Sequence, residues 1–235
     1  MTTTQLPTVP LDLVEADAFD FYRQIHKGIR QALFDVTAHA GRLDVADIDA
    51  VDAYLAGQER LMALLHLHHH SEDTFVQPLV VEHAPALAEI IAADHGEVEV
   101  GMACLEERAR RLVSASRGGR PAAAVNLYLD LSRFTSAYLA HQLVEETQVM
   151  PALRAVLPTD ELVAAEMAVR AAASPAELAM AVSYMLPAMN VEERTEMLAG
   201  MSMAPPEVFA GFRAVAEACL PPADWAQVAG RIGLT

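Results

Sequence analysis

Residues 68–73 read His-His-His-Ser-Glu-Asp in a chain of 235 residues, 53% of them hydrophobic. Imidazoles and carboxylates on one helix face can bind a divalent or trivalent cation. They do so only if other segments bring partners to the same level. A second segment matches the first: HHHSEDTFVQP (68–78) aligns with HQLVEETQVMP (141–151). Both follow His-x-x-x-Glu-acid-Thr-x-x-x-Pro, which points to two pseudo-symmetric halves, each a helical hairpin. All nine histidines (26, 39, 66, 68, 69, 70, 83, 95 and 141) lie in the first 141 residues, so any imidazole chemistry belongs there.

The elements that must carry these residues are helices. Alanine, leucine and glutamate dominate, and no run of alternating β-branched residues occurs. The pattern predicts helices over about 11–39, 47–81, 85–116 and 121–156. Gly41 stops the first, and Pro85 and Pro121 suit the first turns of the third and fourth. Four long helices with short loops favour an antiparallel bundle. After LPTD (157–160) the helices shorten, and SPAE (174–177) and NVEE (190–193) are helix-start signatures. The expected organisation is therefore all-α, with a bundle over 1–158 and a compact helical appendage over 159–235.

Helical periodicity picks out one histidine per long helix. The seams are Phe19, Tyr22, His26, Ile29, Leu33 and Val36; then Leu61, Leu65, His68, Glu72, Phe75 and Leu79; then Ile91, His95, Val98, Glu99, Met102 and Leu105; then Leu131, Phe134, Tyr138, His141 and Glu145. Residues three and four apart share a face. On this reading His39, His66, His69, His70 and His83 fall on the surface or in loops, and Tyr22 and Tyr138 are core aromatics with satisfied hydroxyls.

Burying Glu72 and Glu145, with Glu99 at the edge, costs several kcal/mol per ionised carboxylate unless each is paired or metal-bound. Arg30, one turn after His26, cannot neutralise all three. A pair of cations removes the difficulty, because a carboxylate can bridge two metals while neutral imidazoles fill terminal positions. With no thiolate in the set, iron or manganese suits the donors better than a structural zinc cage. The ferritin-like Glu-x-x-His order and the His-Glu-x-x-His protease motif are both absent.

One histidine per helix, with His-x-x-x-Glu on the second and fourth and a proline six residues after each glutamate, resembles the hemerythrin-like HHE cation-binding domain over about residues 11–157. The resemblance implies a non-haem di-iron centre with an oxo or hydroxo bridge, manganese being the second choice. It implies His26, His68, His95 and His141 as terminal ligands and Glu72 and Glu145 as bridges. Glu99 stands where oxygen-carrying hemerythrins have a fifth histidine, so a carboxylate would replace an imidazole there. His141-x-x-x-Glu145 likewise departs from their His-x-x-x-x-Asp. More oxygen donors favour the ferric state, and with it reactions of peroxide, oxygen or nitric oxide rather than oxygen storage. A catalase-like or nitric oxide-reducing enzyme, a redox or gas sensor signalling through the appendage, and an iron-handling protein all remain open.

A net charge of −16 repels phosphate backbones, so nucleic acid is excluded as a partner. The apolar runs are short and charge-broken, which argues against a membrane span, and the first residues carry no signal-peptide pattern. Cys104 and Cys219 form no disulfide framework, and the reducing cytoplasm is the expected compartment. Residues 159–235 contain seven of the 11 methionines and Trp225. Core filling is the preferred reading of the methionines; Trp225 is a candidate anchor onto the bundle. The appendage could cover the metal pocket, form a homodimer contact or receive a protein partner.

Overall fold

The computed structural model describes residues 18–234, which are helical almost throughout and contain no strand. The first part comprises α1 (Arg23–Gly41), α2 (Ile48–Ser71), α3 (Gln77–His83), α4 (Pro85–Ser114), α5 (Arg120–Val144) and α6 (Met150–Val156). The second part comprises α7 (Thr159–Ala172), α8 (Pro175–Ala188), α9 (Val191–Met201), α10 (Pro206–Cys219) and α11 (Pro222–Arg231). Residues 11–17 of the expected first helix lie outside the described residues.

Two of the predicted long helices are interrupted at equivalent places. Wider π-helical turns, π1 (Glu72–Val76) and π2 (Glu145–Val149), separate α2 from α3 and α5 from α6. At each, the amide after the turn reaches back five residues: Gln77 N–H donates to the Glu72 carbonyl, and Met150 N–H to that of Glu145. Pro78 and Pro151 follow immediately. A proline inside a regular helix lacks its N–H and clashes with the carbonyl four residues back, and a π turn relieves that crowding. Each turn adds one residue to the register. The core therefore continues with Val76 and Val80, in place of the expected Phe75 and Leu79.

The four long helices pass through the same three levels. One apolar cluster contains Ile29, Leu65, Val98 and Tyr138. The other contains Tyr22, Val76, Ile91 and Val149. Along every helix the histidine lies between its two cluster members. The directions alternate: α1 and α4 run from the second cluster to the first, and α2 and α5 run the other way. Each fully buried leucine or isoleucine contributes about 1.5–3 kcal/mol. The apolar ends thus supply the stability that holds a polar layer between them.

The second part has its own core of Val182, Leu186, Met189, Leu198, Ala216, Leu220 and Val228. Trp225 packs against that core and not onto the first part, so the anchor lies elsewhere. It is the crossing of α8 over α1 at Gly28, where a Cβ would meet the Tyr184 backbone at 2.9 Å. Tyr184 then packs against the first cluster, and Lys27 pairs with Glu193. Ser174 and Asn190 form the predicted capping boxes of α8 and α9. Pro187 sits in the last turn of α8, where Arg194 donates to the Leu186 and Pro187 carbonyls at 2.7 and 3.0 Å. Of the seven methionines, Met189 is core, Met185, Met197 and Met201 are partly buried against it, and Met167 and Met203 are exposed.

Candidate metal centre

The polar layer brings together His26 from α1, His68 from α2, Glu72 from π1, His95 from α4, His141 from α5 and Glu145 from π2, all buried. His26 Nε2 lies 3.2 Å from His68 Nε2 and 3.4 Å from Glu145 Oε2. His68 Nε2 lies 3.0 Å from Glu72 Oε1. On the other side, His95 Nε2 is 3.7 Å from Glu72 Oε2 and 3.9 Å from Glu145 Oε1. His141 Nε2 is 3.3 Å from Glu145 Oε2. Each carboxylate thus faces imidazoles on two sides.

Two of the sequence-based assignments change. Glu99 is exposed, because Val98 takes the inward place in the 91, 95, 98, 102, 105 series and position 99 is turned about 100° away. His69, expected on the surface, is buried beside the centre, its ring stacked on His95 at 4.6 Å. The signal for it was present in α2. Leu61 with Met62, Leu64 with Leu65 and His68 with His69 form a face two residues wide. A narrow seam of one residue per turn overlooked it. The layer therefore holds five imidazoles and two carboxylates.

These donors form two groups that could each hold a metal ion: His26, His68, Glu72 and Glu145, and His69, Glu72, His95 and His141. Glu72 belongs to both. No carboxylate oxygen of Glu72 or Glu145 has a hydrogen bond, and neither do the ring nitrogens of His69 and His141 or Nε2 of His95. Buried polar atoms are ordinarily satisfied, and so dense a set without protein partners is one that bound cations would satisfy. The donors are all nitrogen and oxygen, so iron fits both groups.

Electrostatics agree. Burial, reinforced by the Glu145 charge, pushes the Glu72 carboxyl up to about 8. Burial also holds His68 well below its ordinary value and His69 down to about 3, with neighbouring imidazoles adding to the effect. Neutral imidazole is the form that ligates metal. His26 and His95 instead rise to about 9: burial pulls them down, but the surrounding carboxylates outweigh it. In the protein alone, those carboxylates hold protons on imidazoles, which a bound cation would displace.

The acid that follows Glu72 and the acid that follows Glu145 have a role that the seams did not reveal. Glu146 Oε1 accepts from His26 Nδ1 at 3.0 Å, and Arg30 donates to Glu146 Oε1 and Oε2 at 2.7 and 2.8 Å. Asp73 Oδ1 accepts from His95 Nδ1 at 2.7 Å. A carboxylate can only accept, so each leaves Nε2 turned into the centre as a donor atom for metal. The pairing crosses between the halves: the second acid of each repeat orients the histidine of the other hairpin. The shared "Glu-acid" dipeptide in the repeat was the available clue. Arg30 serves this outer carboxylate rather than the inner ones. Burial raises Glu146, but His26 and Arg30 outweigh it and bring its carboxyl down to about 2.

Tyr138 also departs from expectation. It is fully buried, its ring stacks on His69 at 5.7 Å, and its hydroxyl has no partner. Burial and the charges of Glu72 and Glu145 raise that hydroxyl well above its ordinary value, so it keeps its proton.

A model of the Hemerythrin HHE cation binding domain matches residues 17–153, which contain every residue of this centre. No curated protein and no solved structure matches the chain.

Proposed function

We propose, from the premise that the chain belongs to the hemerythrin HHE cation-binding family, that it is a non-haem di-iron protein reacting with small oxidants. The alternating directions of α1, α2, α4 and α5 support the antiparallel four-helix bundle of that reading. The observation that carries it is Glu72, a buried carboxylate common to both donor groups and without a hydrogen bond on either oxygen.

His26, His68, Glu72 and Glu145 would hold one iron, and His69, His95, His141 and Glu72 the other. Iron so held would supply redox change and an open position for peroxide, oxygen or nitric oxide. The chain's own contribution is positional. Glu146 and Asp73 fix the His26 and His95 rings, and the two π turns set Glu72 and Glu145 opposite one another. The apolar clusters on both sides exclude bulk water, which strengthens every charge interaction in the layer. Tyr138 Oη keeps its proton beside the imidazoles and is free to donate a hydrogen bond to a small anionic ligand.

Elemental mass spectrometry of the chain expressed with iron tests the reading, with about two irons per chain expected for the paired nitrogen–oxygen donor groups. One zinc or no metal would overturn it. In the loaded protein, Tyr138→Phe should keep both metals yet slow peroxide or nitric oxide consumption about 100-fold. A sensor is the second reading, favoured by the packing of Leu162 of α7 in the cluster beyond π1. A redox-dependent change in hydrogen exchange of α7, without turnover, would select it.

A further inference from the structure

A cavity of about 360 Å³ separates the bundle from the C-terminal helices. Its walls come from both parts and include Ile25, Leu64, Leu67, Val182, Met185 and Phe212. Its inner end is formed by Tyr22, His68 and Glu72, so it meets the metal centre directly. Glu166, Arg170 and Glu177 are already engaged: Arg170 donates to Glu166, and Glu177 accepts from the Ser174 amide at 2.7 Å. Away from the His68 and Glu72 end, what remains for a ligand is mostly apolar surface.

We propose that this cavity binds a neutral, apolar organic molecule, with one end against the Glu72–His68 side of the centre. Size supports this, because a dry apolar cavity of about 150 Å³ already holds benzene and this one has room for a fused aromatic or a medium alkyl chain. Charge supports it too, since Glu72, Glu166 and Glu177 face the space and Arg170 is the one Lys or Arg among its described lining residues. With Arg170 already paired to Glu166, no Lys or Arg among the described lining residues is left to hold an anionic ligand. Methionines suit such a site, because their unbranched thioethers adapt to different shapes; Met185, Met197 and Met201 all line it. The C-terminal helices thus act as one wall of a ligand pocket. The proposal goes beyond the metal reading and does not depend on which ion the centre holds.

Titration of the full chain with N-phenyl-1-naphthylamine, a neutral apolar fluorophore, tests it. Expected is one saturable site, displaced by 1-decanol and about tenfold less effectively by decanoate, whose charge must be desolvated beside the acids. Saturable fluorophore binding should hold with and without added iron, which separates this proposal from the metal reading; the preference for 1-decanol over decanoate is read on iron-free protein, where no cation at the centre attracts the carboxylate. Ala181→Phe and Ala173→Phe fill the cavity from its C-terminal side and should each weaken the fluorophore about tenfold or more, as burial of about two methylenes is lost. Circular dichroism checks that both variants fold. A diazirine analogue of 1-decanol, photolysed in the unmodified chain, should label α8 and α10 around Val182 and Phe212. Absence of a saturable site, equal displacement by decanoate, unchanged affinity in folded variants, or labelling elsewhere would each overturn the proposal.

Discussion

The two halves of the bundle carry the same motif but do not build the same half-site. Positions 68 and 141 both supply a histidine and 72 and 145 both a glutamate, yet the next residue along is His69 in one half and Gln142 in the other. Both are buried. His69 adds a fifth imidazole, so one donor group has two histidines with two glutamates and the other three histidines with one. The outer acids differ as well. Glu146 is shielded and clamped by Arg30, whereas the Asp73 side chain is half exposed and pairs with the His95 ring. A repeated sequence therefore produces two inequivalent donor groups, and the inequivalence comes from the residues that flank the motif.

Removing the shared element should have the largest effect. Glu72→Ala takes a donor from both groups, and iron should fall from about two per chain to near zero by elemental mass spectrometry. His69→Gln makes the halves alike at that position and should remove one metal while retaining the other, leaving about one iron per chain. If both irons stayed, His69 would not be a ligand. The outer acids should act through affinity. Glu146→Gln is expected to weaken metal binding about 100-fold and Asp73→Asn nearer tenfold, measured by competition with a chelator. Equal losses would mean that the Arg30 clamp contributes nothing to the difference. Glu99→Ala, on an exposed face, should leave metal content unchanged.

Much of this is legible in the sequence. The repeat located the two glutamates, the 3.6-residue period placed His26, His68, His95 and His141 inward, and capping chemistry marked α8 and α9. Glu99 and His69 were not resolved by the same method. A single-file seam assigns one residue per turn, while α2 buries a face two residues wide and α4 a narrower one, and that width depends on what packs opposite. The π turns escaped for a related reason. Pro78 and Pro151 announce a disturbance, but its form, a one-residue widening that carries Asp73 and Glu146 to the far hairpin's histidines, is settled by where those histidines stand.

The sequence by itself determined the all-helical class, the family, and the carboxylate and imidazole types of the centre, because these follow from periodicity and from residue chemistry repeated along one chain. Only the tertiary structure decided that His69 replaces Glu99 in the polar layer, that the outer acids cross between hairpins, and that α8 closes on Gly28 to wall an apolar cavity against Glu72. Those outcomes depend on distances between segments far apart in the chain. Helix-to-helix packing sets such distances, and no local pattern encodes them.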